Sequence, residues 1–261
     1  MTSLQQQEGN EQLWFTVFAE GHPVLVTKQR RYQMLPGSPR CKLCAVPFGG
    51  AGGWLMRRRG LGASHRNPQY CTACDAFLEA FPGGAEVPMA MMMVDIRDSV
   101  SLSGQVSGRE FAAMVMDLRD EVAKVLDQTE GFLLEFQGDS VFAVWPPGFV
   151  GTDYAAKALR AADLARQMIR ERSNGSAAPV GVAVHTGKVF IGAVSAAGGR
   201  IQGISAFGLE VNVLARLAAA ARPGEILASA ATYAAAERQM PATRRSEVLK
   251  GVSQPVEVAV V

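Results

Sequence analysis

The sequence lacks any apolar run long enough to cross a membrane. Its most conspicuous run, "MAMMMV" at residues 89–94, falls far short of the roughly 18 residues that a membrane-spanning helix needs. The polar start, "MTSLQQQEGNEQ", also lacks the basic region, apolar stretch and cleavage site of a signal peptide. We therefore expect a soluble, cytoplasmic protein with no membrane partner.

The chain also lacks a strong excess of either charge. Its 26 Lys and Arg residues against 24 Asp and Glu residues leave a net charge of +2. Residues 1–84 are mildly basic and the remainder is mildly acidic, which gives no overall signature of nucleic-acid binding. The basic "RRRG" at 57–60 is typical of a solvated face, so we do not expect a nucleic-acid partner.

Cysteines are few, and all four fall in one pattern. Cys41 and Cys44 form one C-x-x-C pair, and Cys71 and Cys74 form a second pair after 26 intervening residues. Two such pairs predict a tetrahedral site of four thiolates. A structural Zn²⁺ is the expected occupant, with an iron–sulfur centre or a redox thiol switch as alternatives. Disulfides are disfavoured in a reducing cytoplasm.

The composition changes near "FPGGAEVP" at 81–88, where glycine and proline indicate a boundary. The segment before it shows little regular pattern outside the cysteine-containing stretch. The predicted parts are an N-terminal segment at 1–40, a four-cysteine zinc-ribbon-like segment at 41–80, a linker at 81–87 and a C-terminal domain at 88–261.

After residue 88 the chain alternates short strand-like runs with longer helical patterns. Strands are predicted at 88–95, 131–137, 140–145, 179–186 and 188–195, with weaker ones near 201–206, 224–228 and 254–261. Helices are predicted at 108–127, 153–172 and 208–220, the first with a capping box in "SGRE". This alternation favours an α+β fold, a sheet layered with helices.

Two aspartates stand where apolar strands end. Asp95 follows the run "MAMMMV", and Asp139 lies in the tight turn of "QGDS" between two predicted strands. Paired neighbouring strands would bring the two carboxylates together, and such a pair can hold two Mg²⁺ ions for phosphoryl chemistry. Either residue alone would be expected to serve only as a turn or cap residue, and palm-type polymerases also carry paired carboxylates on a sheet.

The helical segment "FGLEVNVLARL" at 207–217 places Asn212 and Arg216 four residues apart. That spacing puts both on one helical face, where an amide and a guanidinium could reach one ligand. Arg suits the charge that builds on a phosphate oxygen. The alternative is an ordinary solvent-exposed pair.

Taken together, these blocks resemble the class III adenylate/guanylate cyclase catalytic domain. The resemblance covers about residues 88–261 and rests on "VDIRDS", "FQGDSVFAVW", "VGVAVHTGKVFIGAV", which is expected to form a β-hairpin, "GLEVNVLARLAAAARPGEILAS" and "LKGVSQPVEV". It implies a ferredoxin-like or palm-like sheet, rich in antiparallel pairs and layered with helices. It also implies a homodimer whose active sites lie at the interface, and a role in cyclic-nucleotide signalling.

The resemblance assigns roles residue by residue. Asp95 and Asp139 match the aspartates that bind two Mg²⁺ or Mn²⁺ ions, with the Ile96 carbonyl as a further ligand. Asn212 matches the residue that orients the ribose, and Arg216 the one that stabilises the α-phosphate. The terminal phosphates would be bound by Lys250 and Arg200.

The base-selecting positions depart from the usual adenylate cyclase pattern. Glu135 replaces the lysine, and strand alternation places it on the same face as Asp139. A carboxylate can accept from guanine N1–H and the 2-amino group, while Ser205 can donate to guanine O6. We expect GTP ahead of ATP, with UTP or CTP third; a catalytically inactive cyclase-fold dimerisation module is a further alternative. Asp98 in place of glycine, and Leu209-Glu210 in place of Asp-Ala, are two other departures.

Overall fold

The computed structural model describes residues 3–173, 178–196 and 201–261, and the chain divides into two compact units. Unit 1 comprises Met1–Val87 and Phe190–Ala206, and unit 2 comprises Pro88–Val189 and Phe207–Val261. Within the described ranges, no helix has the length and apolar character needed to cross a membrane.

Unit 1 begins with helices that the sequence did not predict. They are α1 (Ser3–Phe15), a π-helical turn (Thr16–Glu20) and α2 (Pro23–Gln33). The expectation of little regular pattern was wrong because this polar stretch has few apolar residues to display a helical period. Its anchor is Trp14, which is fully buried and stacks on Phe18 with ring centroids 5.5 Å apart.

Two further hydrogen bonds join α1 to the residues just before the first strand. The Trp14 indole N–H donates to the Phe81 carbonyl at 2.9 Å, and the Asn10 amide donates to the Pro82 carbonyl at 2.7 Å. Buried backbone carbonyls need such partners. The start of the first strand is therefore held by α1.

The four-cysteine segment contains two short helices, α3 (Gly50–Arg58) and α4 (Thr72–Ala80). Isolated antiparallel bridges pair Arg40 with Pro47 and Ala63 with Cys71. The first bridge encloses the Cys41–Cys44 pair, whereas Cys71 lies in the second bridge and Cys74 in the first turn of α4. A zinc-ribbon classification for this segment stays a prediction.

Strands β1 (Gly83–Ile96) and β4 (Val180–Ala196) are longer than the sequence suggested. β1 begins inside the range predicted as a linker. β4 is one continuous strand, so the prediction of two strands and a hairpin within 179–195 was wrong. Gly187 resembles a turn residue in the sequence, but in a strand glycine also permits close approach by a neighbouring group. A Cβ atom at Gly187 would overlap the Glu210 side chain.

The remaining strands are β2 (Phe132–Gln137), β3 (Ser140–Trp145), β5 (Ile201–Phe207), β6 (Ile226–Ser229), β7 (Arg244–Glu247) and β8 (Val256–Val260). Across the described ranges the sheet order is β2-β3-β1-β4-β6-β8-β7, with β5 paired to β4. Pairs β1/β3, β2/β3, β6/β8 and β7/β8 are antiparallel, and β4/β6 is parallel. The predicted α+β class with an antiparallel-rich sheet is confirmed.

The described ranges of unit 2 also contain helices. They are α5 (Ser99–Gln105), α6 (Gly108–Thr129), α7 (Pro147–Val150), α8 (Tyr154–Ser173), α9 (Leu209–Ala220) and α10 (Ala230–Ala235). The predicted capping box at the start of α6 is confirmed, with Ser107 and Glu110 bonded reciprocally. Buried Leu118 and Val122 of α6 pack with Ala158 of α8 and Trp145 of β3. Each fully buried aliphatic side chain contributes about 1.5–3 kcal/mol, so this core holds β1 and β3 in register.

Candidate active site

The strand pairing brings Asp95 against the β2–β3 hairpin. Val94 of β1 lies opposite Val141 of β3, so the next residue of β1 faces Ser140. The Ser140 hydroxyl donates to Asp95 Oδ1 at 2.7 Å. Since Asp139 immediately precedes Ser140, the two predicted metal-binding aspartates lie at one end of paired strands, as the sequence predicted.

Asp139 sits in the hairpin turn with Gly138, whose φ of 61° is the left-handed conformation that glycine adopts readily. Asp139 Oδ2 is buried and has no hydrogen-bond partner among the described residues. An unpaired buried carboxylate oxygen costs free energy unless a cation or donor binds it. The turn itself is held by Arg119, whose guanidinium donates to the Gly138 carbonyl at 2.6 Å and stacks 4.3 Å from the Phe136 ring centroid.

Arg97 is a residue of this site that our sequence reasoning missed. Its guanidinium donates to Asp95 Oδ2 and, at 3.2 Å, to the Ala219 carbonyl. The side chain is only 13% exposed. Arg97 lies in the turn directly after β1, and its position two residues from Asp95 was the only signal in the sequence.

The residues beside Asp95 explain one departure from the family pattern. The Ile96 side chain is buried, so its backbone carbonyl is the group that could serve a metal. Asp98 adopts a left-handed conformation, with φ 54° and ψ 32°, at the start of α5. Glycine suits that conformation, and Asp is among the few other residues that tolerate it. The substitution therefore preserves the backbone path.

Glu135 lies on β2, half-buried, after an irregularity in the β2–β3 pairing between Leu133 and Glu135. Its Oε2 atom accepts a hydrogen bond from the Gln137 amide at 3.0 Å. The contact agrees with the predicted alternation, which places residues 135 and 137 on one face. Gln137 thereby orients the Glu135 carboxylate.

Asn212 and Arg216 lie one turn apart on the exposed face of α9, while Val213, Leu214 and Leu217 are buried. In the part of the chain that the structure describes, neither polar side chain forms a hydrogen bond or ion pair. Lys250 is also exposed, in the turn after buried Leu249. All three cationic or amide groups are thus available to a ligand or to a second chain.

Glu210 in the first turn of α9 contacts a second residue that the sequence did not single out. His185 of β4 places Nε2 at 2.6 Å from Glu210 Oε2, and its side chain is 6% exposed. Burial lowers the pKa of His185, and the nearby carboxylate only partly opposes this effect. A neutral imidazole would then donate from Nε2–H to Glu210.

Ser205 and Arg200 are two further residues that the sequence predicts to bind the nucleotide. Ser205 is half-buried on β5, in unit 1 between buried Ile204 and Ala206. Arg200 lies outside the described residues. The structure therefore describes the surroundings of Ser205 within unit 1 only. The phosphate-binding role of Arg200 stays a prediction.

The four cysteines of unit 1 form one buried cluster. All four Sγ atoms lie within 4.8 Å of one another, and Cys44 Sγ is 3.7 Å from Cys71 Sγ. A tetrahedral S₄ site with metal–sulfur bonds of about 2.3 Å has edges of about 3.8 Å. Hydrogen bonding with Cys41 lowers the pKa of Cys71 and raises the pKa of Cys44 and Cys74. The cluster could therefore hold one metal ion.

Comparison with known families decides the identity of the fold. A family model described as the adenylate and guanylate cyclase catalytic domain matches residues 85–258. The chain belongs to this family. The resemblance expected from the sequence is confirmed, and the chain carries a nucleotidyl cyclase domain preceded by the four-cysteine segment.

The cyclase domain is also similar to individual proteins. Adenylate cyclase 1 of Rhizobium meliloti (strain 1021) is 34% identical over 133 residues, which cover 48% of this chain. The match spans only 20% of that relative's length.

Solved cyclase structures share the fold. The guanylyl cyclase Cya2 matches with a TM-score of 0.61 and 24% identity, covering 69% of this chain and 93% of its own. The adenylyl cyclase CyaB from P. aeruginosa has a TM-score of 0.55 and 23% identity over 68% and 95% of the two chains. The guanylate cyclase domain of RhGC from Catenaria anguillulae, solved with GTP, has a TM-score of 0.60 and 19% identity over 67% and 96%.

Proposed function

We propose that the protein converts a nucleoside triphosphate to its 3′,5′-cyclic nucleotide and pyrophosphate. The observation that carries this proposal is the carboxylate pair at the end of β1 and β3. Ser140 bonds Asp95 at 2.7 Å, and the adjacent Asp139 keeps one carboxylate oxygen buried and unpaired within the described ranges. Paired carboxylates of this kind suit phosphoryl chemistry at an α-phosphate.

The donor set at this site fits two Mg²⁺ or Mn²⁺ ions. Asp95 and Asp139 would supply carboxylate oxygens and Ile96 its carbonyl, all hard ligands that these ions prefer. Bound there, the ions would activate the attacking 3′-oxygen and stabilise charge on the phosphates. Arg97 would then keep the Asp95 carboxylate oriented through its own hydrogen bond.

Other residues would bind and orient the substrate. Asn212 would orient the ribose, and Arg216 would offset the negative charge that builds on the α-phosphate oxygens. Lys250, and Arg200 outside the described residues, would bind the terminal phosphates. Exposed Asn212 and Arg216 support a homodimer in which each chain completes the partner's site.

Glu135 and Ser205 would select the base, and we place GTP ahead of ATP. The Glu135 carboxylate, held by Gln137 at 3.0 Å, can accept from guanine N1–H and its 2-amino group, whereas adenine N1 is an acceptor. ATP is the second candidate, because the relative from Rhizobium meliloti is named an adenylate cyclase. Pyrimidine triphosphates come third.

The four-cysteine cluster would bind a single Zn²⁺. Its closest sulfur pair, 3.7 Å apart, matches the edge of a tetrahedral site, whereas a polynuclear iron–sulfur centre holds its thiolates around several iron atoms. A reducing cytoplasm, the compartment expected from the sequence, would keep the thiols available. The metal would stabilise a small segment with a limited core.

The test of the enzyme proposal is an assay of purified full-length protein with Mg²⁺ or Mn²⁺ and each of the four triphosphates. We expect cyclic nucleotide and pyrophosphate in equal amounts, with the highest kcat/KM for GTP. Asp95→Ala should abolish turnover, and exposed Asp117→Ala should not. Cyclic product from none of the four triphosphates would remove the enzyme proposal, and product from ATP alone would remove the assignment of Glu135.

Metal analysis with an absorption spectrum tests the cluster. We expect one Zn²⁺ per chain and a colourless protein. A coloured protein with bound iron would contradict the zinc assignment. A folded protein without metal would contradict both a zinc site and an iron–sulfur centre.

A further inference from the structure

A buried hydrogen bond joins the four-cysteine segment to β5 within unit 1. The Tyr70 hydroxyl accepts from the Ile204 backbone N–H at 3.2 Å, across 134 positions of the chain. Tyr70 is fully buried and Ile204 is 3% exposed. Water cannot easily replace the bond at such a site, so its loss would leave the Ile204 N–H unpaired.

The metal-binding cysteines determine where Tyr70 sits. Tyr70 directly precedes Cys71, whose backbone N–H donates to Cys41 Sγ at 3.2 Å. Next to it, the Lys42 N–H donates to the Gln69 carbonyl at 2.9 Å, and the Tyr70 carbonyl accepts from Ser64 at 2.8 Å. These bonds tie the Tyr70 backbone to both cysteine pairs.

The other end of the bond defines the position of β5. Ile204 and Ala206 are buried, and Ser205 between them is half-buried. Successive side chains of a strand point to opposite faces, so a backbone anchor at Ile204 also determines the direction of the Ser205 hydroxyl. Ser205 is the residue to which the proposed function gives part of base selection.

We infer that Tyr70 is a positioning residue that couples the state of the four-cysteine metal site to base recognition by Ser205. This inference rests on the proposed function. A bound metal holds Cys41 and Cys71 together and keeps the Tyr70 hydroxyl on the Ile204 amide. Without the metal, no ion bridges the four sulfur atoms, the two cysteine pairs can separate and the anchor of β5 is lost.

The experiment compares full-length parent, Tyr70→Phe and the matched control Tyr32→Phe. Tyr32 lies in the same unit, and its hydroxyl forms no hydrogen bond in the described part of the chain. Each protein is measured as purified with its metal, and again after a strong chelator has stripped the metal and Mg²⁺ has been restored. The readouts are metal content, amide hydrogen exchange at Ile204, and the ratio of kcat/KM for GTP over ATP.

We expect Tyr70→Phe to retain its metal, to exchange the Ile204 amide about tenfold faster and to lose about twofold to tenfold of its base preference, the range set by one hydrogen bond. Removing the metal should change Ile204 amide exchange and base preference in the parent and in Tyr32→Phe in the same way as Tyr70→Phe does. In Tyr70→Phe itself, removing the metal should cause little further change in either readout. Parental exchange in Tyr70→Phe, or equal effects of stripping on parent and Tyr70→Phe, would overturn the inference.

The two proposals fail separately. If no triphosphate is cyclised, the proposed function fails, while exchange at Ile204 with and without metal still decides whether Tyr70 couples the cluster to β5. If Asp95→Ala abolishes turnover but Tyr70→Phe matches the parent in exchange and base preference, the proposed function stands and the coupling is wrong.

Discussion

His185 Nε2 lies 2.6 Å from Glu210 Oε2, and this contact joins β4 to the first turn of the helix that carries Asn212 and Arg216. On the other side of the ring, His185 Nδ1 lies 2.8 Å from the Ser229 hydroxyl. A neutral imidazole that donates from Nε2–H accepts at Nδ1. The buried ring therefore connects β4, β6 and α9.

The chain of hydrogen bonds continues beyond Ser229. The Ser229 and Thr232 hydroxyls lie 3.1 Å apart, and the Thr186 hydroxyl donates to Thr232 at 3.2 Å. If Thr232 donates to Ser229 and Ser229 to His185, every donor points along one path that ends at the Glu210 carboxylate. A buried polar network stabilises a structure only when its members are satisfied, and this one is.

Removing the Glu210 carboxylate should displace the start of α9. We expect Glu210→Ala to lower the free energy of unfolding by about 1–2 kcal/mol, and to lower kcat about threefold to tenfold through misplaced Asn212 and Arg216. Glu210→Gln keeps an acceptor for the His185 Nε2–H and should retain most of the parental stability and most of the parental kcat. The control is exposed Leu209→Ala. Urea unfolding and steady-state kinetics measure the two effects, and a Glu210→Ala enzyme with parental values would contradict this role.

Stability should fall in mildly acid solution because of His185. Burial lowers the pKa of His185 below its ordinary value of 6.5, so the unfolded chain binds the proton more readily than the folded chain. The stability is therefore complete above about pH 6.5 and is lost progressively as the pH falls towards the folded pKa. The groups facing the ring are Glu210 on α9 and Ser229 on β6.

This dependence is measured by urea unfolding between pH 5 and 8. His185→Gln should be less stable at pH 8 but should lose the slope between about pH 5 and 6.5. An unchanged slope in His185→Gln would assign the dependence to other groups.

Asp139 should cost stability until a metal binds. Its Oδ2 atom is buried without a partner among the described residues, so Asp139→Asn should leave the metal-free protein as stable as the parent or more stable by about 1 kcal/mol. Mn²⁺ with a non-cyclisable GTP analogue should raise the Tm of the parent and not of Asp139→Asn. Asp98→Asn is the matched control, since Asn also tolerates its left-handed backbone. Equal Tm shifts in parent and Asp139→Asn would contradict metal binding at Asp139.

Two inactive variants should complement each other if sites are shared between chains. Asp95→Ala and Arg216→Ala should each be inactive alone. After equal mixing and exchange of subunits, half of the dimers hold one intact site, so about a quarter of the parental activity should return. A mixture of Asp95→Ala with Asp139→Ala is the control and should stay inactive. No recovery in the first mixture would indicate that each site is built from one chain.

Glu135→Gln should reduce the use of GTP more than that of ATP. An amide cannot accept from both guanine N1–H and the 2-amino group as a carboxylate does, so kcat/KM for GTP should fall about tenfold. Gln137→Ala removes only the residue that orients Glu135, and a smaller loss is expected. Unchanged GTP kinetics in Glu135→Gln would exclude Glu135 from base recognition.

Local patterns predicted much of unit 2 correctly. The apolar face of α6, its capping box at Ser107, and the hairpin at Gly138-Asp139 all match the structure closely. These features depend on residues close in sequence, whose helical or strand period is visible directly. The predicted pairing of the strands beside Asp95 and Asp139 matches the structure, because apolar runs adjoin both residues; their shared metal site stays a prediction.

Patterns were less informative where a distant residue decides the conformation. The continuous β4 strand passes through Gly187, which accommodates the Glu210 side chain rather than a turn. Trp14 of α1 and Phe18 of the following π-helical turn are buried, although most residues of α1 are polar. A polar helix of this kind is stabilised by tertiary contacts rather than by its own period.

By itself, the sequence determined the family blocks, the secondary structure of the catalytic half and the set of four cysteines, because those depend on residue type and short spacing. Only the tertiary structure decided which partners meet: Arg97 with Asp95, His185 with Glu210 and Tyr70 with Ile204. Two of these contacts join residues far apart in the chain, and the third depends on where the turn after β1 directs the Arg97 side chain. Their energies come from burial that no local pattern encodes.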